Sequence, residues 1–597
     1  MPYLDVIVPG PWWNALTYTA ETIPPRGSRV RVPVKNSLRV GFVSGAVNSE
    51  SVKDEIKYKE VAEILDNYPA FEKDLWDLAL WVGHYFMCGP GEVLKVMSPP
   101  RLLNGDPLQG VNFFNEKANE GRKFCESECY LPYDSERGDF YLNRLMESEE
   151  NGAALILFPE RSAAKHFYGM LPSKLKERAL LWGNKGTKNF WQDWLDVRNG
   201  NVKLVIGGPS AVYAPLPDIS LVIVEDEANP AYVSARYPNL PARSIAGKRA
   251  LFAGAELILG GRLPSAKTCF RKKIKCNYLP EKDLLHFVDI NDGFCARVQG
   301  VEKTLPISKT LVSETKKCLN ENMIGLWIFD RKGYATEVLC ENCGYGLLCP
   351  VCGAVMTARN ISEGEIVLYC RRCLNRKQLP EFCPACRGNF FIGKKPGLEA
   401  LESIASAFCD REGVAEKKLI VGTRKVLSLC DKKNVGFIAW IDIDLEANKT
   451  DYTSRFSAFS MVWESLWRGI KRAGTSDKIN RRVLIQSRSP ARGWQVGLKS
   501  GWEYFWDKEL AERAELEFPP YKPLVEIEVS TKMKENEKLV KLLEDKGYMV
   551  MSSAPYDGKY HIWLSASPLS ALEKVLSKRF SINKSRYGYP RVRIFVE

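Results

Sequence analysis

Eight cysteines crowd between Cys340 and Cys386 as four Cys-x-x-Cys pairs: Cys340/Cys343, Cys349/Cys352, Cys370/Cys373 and Cys383/Cys386. A two-residue spacer lets a tight turn aim two thiolates at one ion. Two such pairs complete a tetrahedral four-thiolate site, so the eight predict two zinc ions. No ligand position is left open and no His lies nearby, which points to structural rather than catalytic zinc. A disulfide framework is the competing reading, but nothing marks the chain as secreted. Gly344, Gly353 and Gly388 closely follow three of the pairs, where turns are expected to need positive φ. The other nine of the 17 cysteines are scattered and read mostly as buried thiols.

The cysteine window interrupts a run of apolar strands. "GLWIFDRKGYATEVLC" leads into it, and "KKLIVGTRKVLSL" and "VGFIAWIDIDLEAN" follow it. Before it lie "AALILFPERSA", "VKLVIGGPSAVYAPLPDISLVIVEDE" and "AELILGGRLPSAKT", alternating with helical stretches such as Asn189 to Arg198 and Arg243 to Ala253. That alternation predicts α/β units with parallel sheets, the second carrying the cysteine module as an insertion. At 597 residues the chain is too long for one core. No apolar run reaches the ~18 residues of a membrane span, and no signal-peptide pattern opens the chain, so no membrane association and a cytoplasmic location are expected. A net charge of +13 favours an anionic partner such as nucleic acid, with general solubility charge as the plainer reading.

"DRKGYATEVLCENCG", "VIGGPSAVYAPLPDISLVIVEDEANPAY", "RRVLIQSRSP" and "ELAERAELEFPPYKPL" occur in an order that resembles the PriA family, the superfamily 2 DNA helicases of bacterial replication restart. The resemblance implies two RecA-like parallel-sheet lobes with an inserted two-zinc module, a small β-rich N-terminal DNA-binding domain and an α+β C-terminal domain. The implied boundaries are 1–98 for a 3′-DNA-end-binding domain, 99–122 for a linker and 123–285 for the first lobe. The second lobe takes 286–502, with its zinc insertion at 338–390, and the DNA- and partner-binding C-terminal domain takes 503–597. By the same resemblance Cys340, Cys343, Cys383 and Cys386 hold one zinc, and Cys349, Cys352, Cys370 and Cys373 the other.

The nucleotide motifs depart from the family's. A P-loop needs glycines for its cradle, a Lys for charge and a Ser/Thr for magnesium. No such string occurs. The aligned stretch "LPYDSERG", Leu131 to Gly138, has Arg137 at the lysine position and Gly138 at the hydroxyl position, with Leu131, Asp134 and Glu136 at the glycines. Its two carboxylates would face the triphosphate, each pair repelling by roughly 1 kcal/mol at about 4 Å even in water. The family's Asp-Glu-Glu-His becomes Glu225, Asp226, Glu227 and Ala228, and its third motif becomes Gly261 to Ser265. In "ESLWRGIK" only Arg468 keeps an arginine in register, as a finger candidate or a surface charge. The expectation is a pseudo-helicase without ATP and magnesium chemistry.

The ends carry the DNA-binding expectations. The resemblance places a 3′-end pocket at Leu16, Thr17 and Tyr18, where the family's turn has Asp in the position of Thr17, together with Lys59. A Thr hydroxyl can hydrogen-bond the sugar, but without the charge-assisted bond of a carboxylate. Trp12 and Trp13 are stacking candidates. Only about 25 residues, Ser98 to Arg122, occupy the place of the family's winged helix, which needs roughly 60 to bury a core, so that domain is inferred missing. The expected partners are forked or single-stranded DNA, single-stranded-DNA-binding protein and primosome proteins that load the replicative helicase. A monomer in the cytoplasm, associated with the nucleoid, is expected. The alternatives are a diverged, active 3′-to-5′ helicase and a zinc-stapled RNA-binding or transcription factor.

Overall fold

In a computed structural model, residues 1–47, 57–108, 122–148, 151–183, 186, 188–290, 295–331, 333–351, 353–362, 365–370, 374–413, 418–470, 481–530, 533–556, 559–580 and 590–597 are described. They group into two compact units. One holds Met1–Leu131, Glu136–Lys273 and Leu510–Glu597; the other holds Pro132–Ser135 and Ile274–Glu509.

The first unit opens with an antiparallel sheet of β1 (Tyr3–Ile7), β2 (Leu16–Thr19), β3 (Arg29–Val34), β4 (Ser37–Ala46) and β5 (Glu63–Ile64), in the order β2-β1-β4-β3-β5. Alternation in "RVRVPV" sends Val30, Val32 and Val34 to the core beside Leu4, Val6 and Tyr18. Arg29 is buried but fully engaged. Its Nε donates to Asp66 Oδ2 at 2.6 Å, and its other nitrogens reach the carbonyls of Leu102 and Asp106, each at 2.9 Å. Helices α1 (Lys73–Tyr85), α2 (Pro90–Met97) and α3 (Pro100–Asn104) follow.

The same unit then builds a six-stranded parallel sheet from β6 (Cys125–Tyr130), β7 (Ala153–Leu157), β8 (Ala179–Leu181), β9 (Leu204–Gly207), β10 (Ile219–Val224) and β11 (Glu256–Gly261). The order is β6-β11-β10-β7-β9-β8. All six residues of β10 are buried, as expected where helices cover both faces of a parallel sheet. A third, antiparallel sheet of Leu524–Ser530, Met549–Tyr556, Lys559–Ser565 and Arg591–Phe595 completes the unit. Leu572 and Leu576, one turn apart on helix Leu569–Arg579, are buried in its core.

The second unit has its own five-stranded parallel sheet: Leu285–Asp289, Arg482–Ser487, Val435–Trp440, Ile324–Ile328 and Leu419–Gly422 in spatial order. Inserted after Ile324–Ile328 is an antiparallel sheet of Ala335–Cys340, Thr357–Ser362, Glu365–Tyr369, Arg376–Gln378 and Phe391–Pro396, which carries the cysteine turns. The fold is therefore mixed α/β with two parallel-sheet lobes, as the motif order predicted. Among the described residues, no helix is long and apolar enough to cross a membrane.

Candidate functional site

Glu225, Asp226 and Glu227 leave the end of β10 at the C-terminal edge of the sheet, where open α/β sheets bind ligands. The segment opposite them is not a phosphate loop. Strand β6 ends at Tyr130 and helix α4 (Asp134–Glu147) begins four residues later, so Asp134 to Gly138 are already helical. None of Leu131 to Gly138 has positive φ, and the backbone therefore has no left-handed turn with which to wrap a phosphate.

Arg137 fills the space instead. It is 1% exposed. Its Nε donates to Glu225 Oε1 at 2.9 Å, its Nη2 lies 2.8 Å from the same oxygen, and its Nη1 donates to the Leu131 carbonyl at 2.6 Å. Tyr141, one helical turn on, donates its hydroxyl to Glu225 Oε2 at 2.6 Å. Both carboxylate oxygens of Glu225 are thus taken by the chain's own donors. Burial and the adjacent Glu225 charge push the Tyr141 phenol well above its ordinary pKa, so it stays a donor. Of Asp134 and Glu136, both expected from the sequence to face a triphosphate, Asp134 is exposed and Glu136 half-buried on α4, while Arg137 is buried.

Glu227 anchors a second network. Arg243 Nε donates to its Oε2 at 2.8 Å; the Tyr130 hydroxyl, the Ser265 amide and the Thr268 hydroxyl donate to its Oε1 at 2.9, 2.7 and 2.9 Å. Burial alone would raise the Glu227 pKa, but Arg243 and these donors outweigh it and hold the carboxyl below its usual value. Asp226 adopts φ 52° and accepts from Asn229 Nδ2 at 2.7 Å. Tyr130, Tyr141, Arg243 and Thr268 were not singled out from the sequence. The four-residue spacing of Arg137 and Tyr141 on α4 was the available signal. In the second unit, Arg468 is engaged by Asp431 through two bonds of 2.9 and 2.7 Å and by Glu464 at 2.6 Å.

The N-terminal residues separate. Thr17 faces outward from β2, and its hydroxyl donates to Asp5 Oδ1 at 2.7 Å. Tyr18 does not reach a surface pocket: alternation along β2 turns it into the sheet core, where it is 4% exposed and donates to the Pro33 carbonyl. Lys59 is exposed and its Nζ donates to the Lys35 carbonyl at 3.2 Å. Trp13 is buried, while Trp12 lies under the Arg39 guanidinium at 5.6 Å.

Cys340, Cys343, Cys383 and Cys386 converge, with their sulfurs all within 4.8 Å of one another, a set that can hold one metal ion. All four Cys-x-x-Cys turns share one backbone pattern. The amide four residues after the first cysteine donates back to its carbonyl: Gly344 to Cys340, Gly353 to Cys349, Leu374 to Cys370 and Arg387 to Cys383, at 2.9 to 3.0 Å. Each of those donors has positive φ, between 60° and 72°. Gly388, expected in that role, is not the left-handed residue; Arg387 is. Cys349 and Cys370 are buried, whereas Cys352 and Cys373 lie outside the described residues.

Residues 5–99 match the family described as the PriA 3′DNA-binding domain. Replication restart protein PriA of Helicobacter pylori is 23% identical over 579 residues, spanning 90% of this chain and 88% of its own. PriA of Treponema pallidum is 22% identical with the same shares, and that of Thermotoga maritima is 25% identical over 74% of this chain and 62% of its own. A DEAD box protein from Methanococcus jannaschii aligns at 12% identity with a TM-score of 0.26, covering 76% of this chain and 97% of its own. The chain is thus similar to the PriA replication restart proteins over nine-tenths of its length, and its residues 5–99 to their 3′DNA-binding domain.

Proposed function

We propose that the chain acts in replication restart as a DNA-binding and recruiting protein that does not hydrolyse ATP. The observation that carries this reading is the closed Arg137–Glu225–Tyr141 network. Magnesium needs a carboxylate with a free oxygen, directly or through water. A divalent ion at about 4 Å from the Arg137 guanidinium would be repelled by about 8 kcal/mol at an effective dielectric of about 20. The absence of a left-handed turn in Leu131 to Gly138 and the engagement of Glu225 by Arg137 and Tyr141 support this reading.

In this reading residues 1–98 grip DNA ends, 503–597 add a second DNA- and partner-binding module, and 99–122 are too short for a winged helix. The lobes at 123–285 and 286–502 are scaffold. Two zinc ions staple the insertion at 338–390, one on Cys340, Cys343, Cys383 and Cys386 and one on Cys349, Cys352, Cys370 and Cys373. Partners are forked or single-stranded DNA, single-stranded-DNA-binding protein and the proteins that load a replicative helicase, with the chain working as a cytoplasmic, nucleoid-associated monomer.

The test is fork binding by fluorescence anisotropy at two salt concentrations, against duplex DNA and structured RNA, with and without ATP and magnesium. Preferential fork binding that persists as salt rises and ignores nucleotide is expected. Equal affinity for fork and RNA, collapsing together with salt, would contradict the DNA reading. Nucleotide-dependent release from forks would contradict a protein that does not respond to ATP.

A further inference from the structure

The six strands β6 to β11 all begin at the edge of the sheet opposite Glu225, and a groove of about 660 Å³ runs along that edge. Arg122 and Lys123 precede β6 at one side of the sheet, and Arg178 and Lys203 precede β8 and β9 at the other. Strand β9 lies four strands from β6, roughly 19 Å at about 4.8 Å a strand. Both acids of the lining are engaged: Asp218 pairs with Arg122, while Glu256 pairs with Arg144 and accepts from Ser127 Oγ at 2.9 Å. The other charged residues of the lining, Lys123, Arg178 and Lys203, are all positive and all exposed. Arg122 is held in place, since its Nη1 also donates to the Ile219 carbonyl at 3.1 Å. Gly152 makes room for it: a Cβ there would stand 2.5 Å from the Asp218 carbonyl oxygen and 3.1 Å from Arg122 Nη1.

We infer that this edge binds a run of successive phosphates, without regard to sequence. The inference goes beyond the scaffold role proposed above for this lobe. Cations at both ends of a groove roughly 19 Å long are not met by one compact anion. A chain with a negative charge every few ångströms meets them together. A lysine ammonium is a point charge with three donors, which suits phosphate oxygens in any orientation. Among the described residues the lining has no aromatic ring on which a base could stack, so the contact is to backbone phosphates. Every lining residue falls between 122 and 256, apart from the modules at 1–98 and 503–597. A nucleic-acid strand and an inorganic polyphosphate chain offer the same chemistry.

The alternative is that these cations only complement helix C-termini at the same edge, such as that of helix Ala242–Ala253. Cys125 is exposed and lines the groove, so its thiol reports on occupancy. Full-length protein is treated with iodoacetamide alone, with single-stranded oligothymidine or with inorganic polyphosphate, and alkylation of Cys125 is followed by peptide mass spectrometry. Slower alkylation with either chain is expected; slowing by DNA alone identifies a nucleic-acid strand as the ligand, and slowing by polyphosphate alone identifies a free chain. The double variant Lys123→Ala, Lys203→Ala should lose the protection. Where DNA is the ligand, the slope of log affinity against log salt should fall by about 1.4 in that variant, about 0.7 for each phosphate contact on a single strand. Melting curves check that the variant folds. Unchanged alkylation with both chains, or protection that survives in the variant, overturns the inference while fork binding by wild type stands. Protection by polyphosphate in a protein that binds no DNA overturns the fork-binding reading and leaves the inference standing.

Discussion

The Arg137 guanidinium lies 2.8 Å from Glu225 Oε1, with the arginine side chain 1% exposed and the glutamate side chain 12% exposed. The two residues are 88 positions apart in sequence, yet one charge offsets the other at the C-terminal edge of the first parallel sheet. Removing the buried partner leaves the Glu225 carboxylate, only partly reached by solvent, without its counter-charge. Arg137→Ala is therefore expected to lower unfolding free energy by about 3 kcal/mol, with Arg137→Lys costing less. Denaturant melts check this, and an unchanged midpoint for Arg137→Ala would show that the pair is not holding the lobe.

Tyr141 reaches Glu225 only because Gly260 on β11 has no side chain. A Cβ there would stand 1.9 Å from the Tyr141 hydroxyl oxygen. Gly260→Ala should cost about 1–3 kcal/mol by overpacking. The double variant Gly260→Ala, Tyr141→Phe should recover part of that loss, since the clashing oxygen is gone. Thermal melts of the two proteins give the comparison.

The cysteine turns predict metal content and a local melting unit. Purified protein should contain two zinc ions per chain by elemental analysis, and chelation should expose residues 338–390 to protease while both parallel sheets remain folded. Cys340→Ser should remove one ion. Leu374 and Arg387 hold left-handed conformations that favour glycine, so Leu374→Gly, on an exposed side chain, should be neutral or stabilising by up to about 1 kcal/mol.

Glu72 gives a pH signature. Burial chiefly, with the nearby Asp74 charge, pushes its carboxyl up to about 8, against the opposing pull of Arg198 and Arg249. The folded pKa is above the unfolded one, so between about pH 4.5 and pH 8 the unfolded chain loses a proton that the folded chain keeps. Stability from this group falls as pH rises through that window. Glu72→Gln should flatten the decline in melting temperature between pH 5 and pH 8, and a parallel decline in the variant would count against the assignment.

What could be read in advance followed local rules. Cys-x-x-Cys spacing specifies a turn within a few residues, and the apolar run "ISLVIV" specifies a buried strand, so the cysteine turns and the parallel sheets were legible. The alternation Leu16–Thr17–Tyr18 also carried the fate of Tyr18, since a strand sends neighbours to opposite faces. The rest depended on distant contacts. That Arg137 turns inward onto Glu225 follows from packing α4 against β10, and that Arg243 neutralises Glu227 follows from a helix placed beneath the same edge. Resemblance marked Arg137 and Glu225 but not their pairing with each other. The positive φ at Arg387 rather than Gly388 shows that turn geometry, counted from the first cysteine, decides the position and not the nearest glycine.

If the chain's own side chains occupy the phosphate and metal positions, ATP has no seat in this protein. Release of labelled phosphate from ATP, measured with magnesium and saturating forked DNA, tests it most directly. Turnover indistinguishable from a no-protein control is expected for the wild type and for Glu225→Gln alike. DNA-stimulated turnover in the wild type that Glu225→Gln or Arg137→Ala abolishes would contradict it.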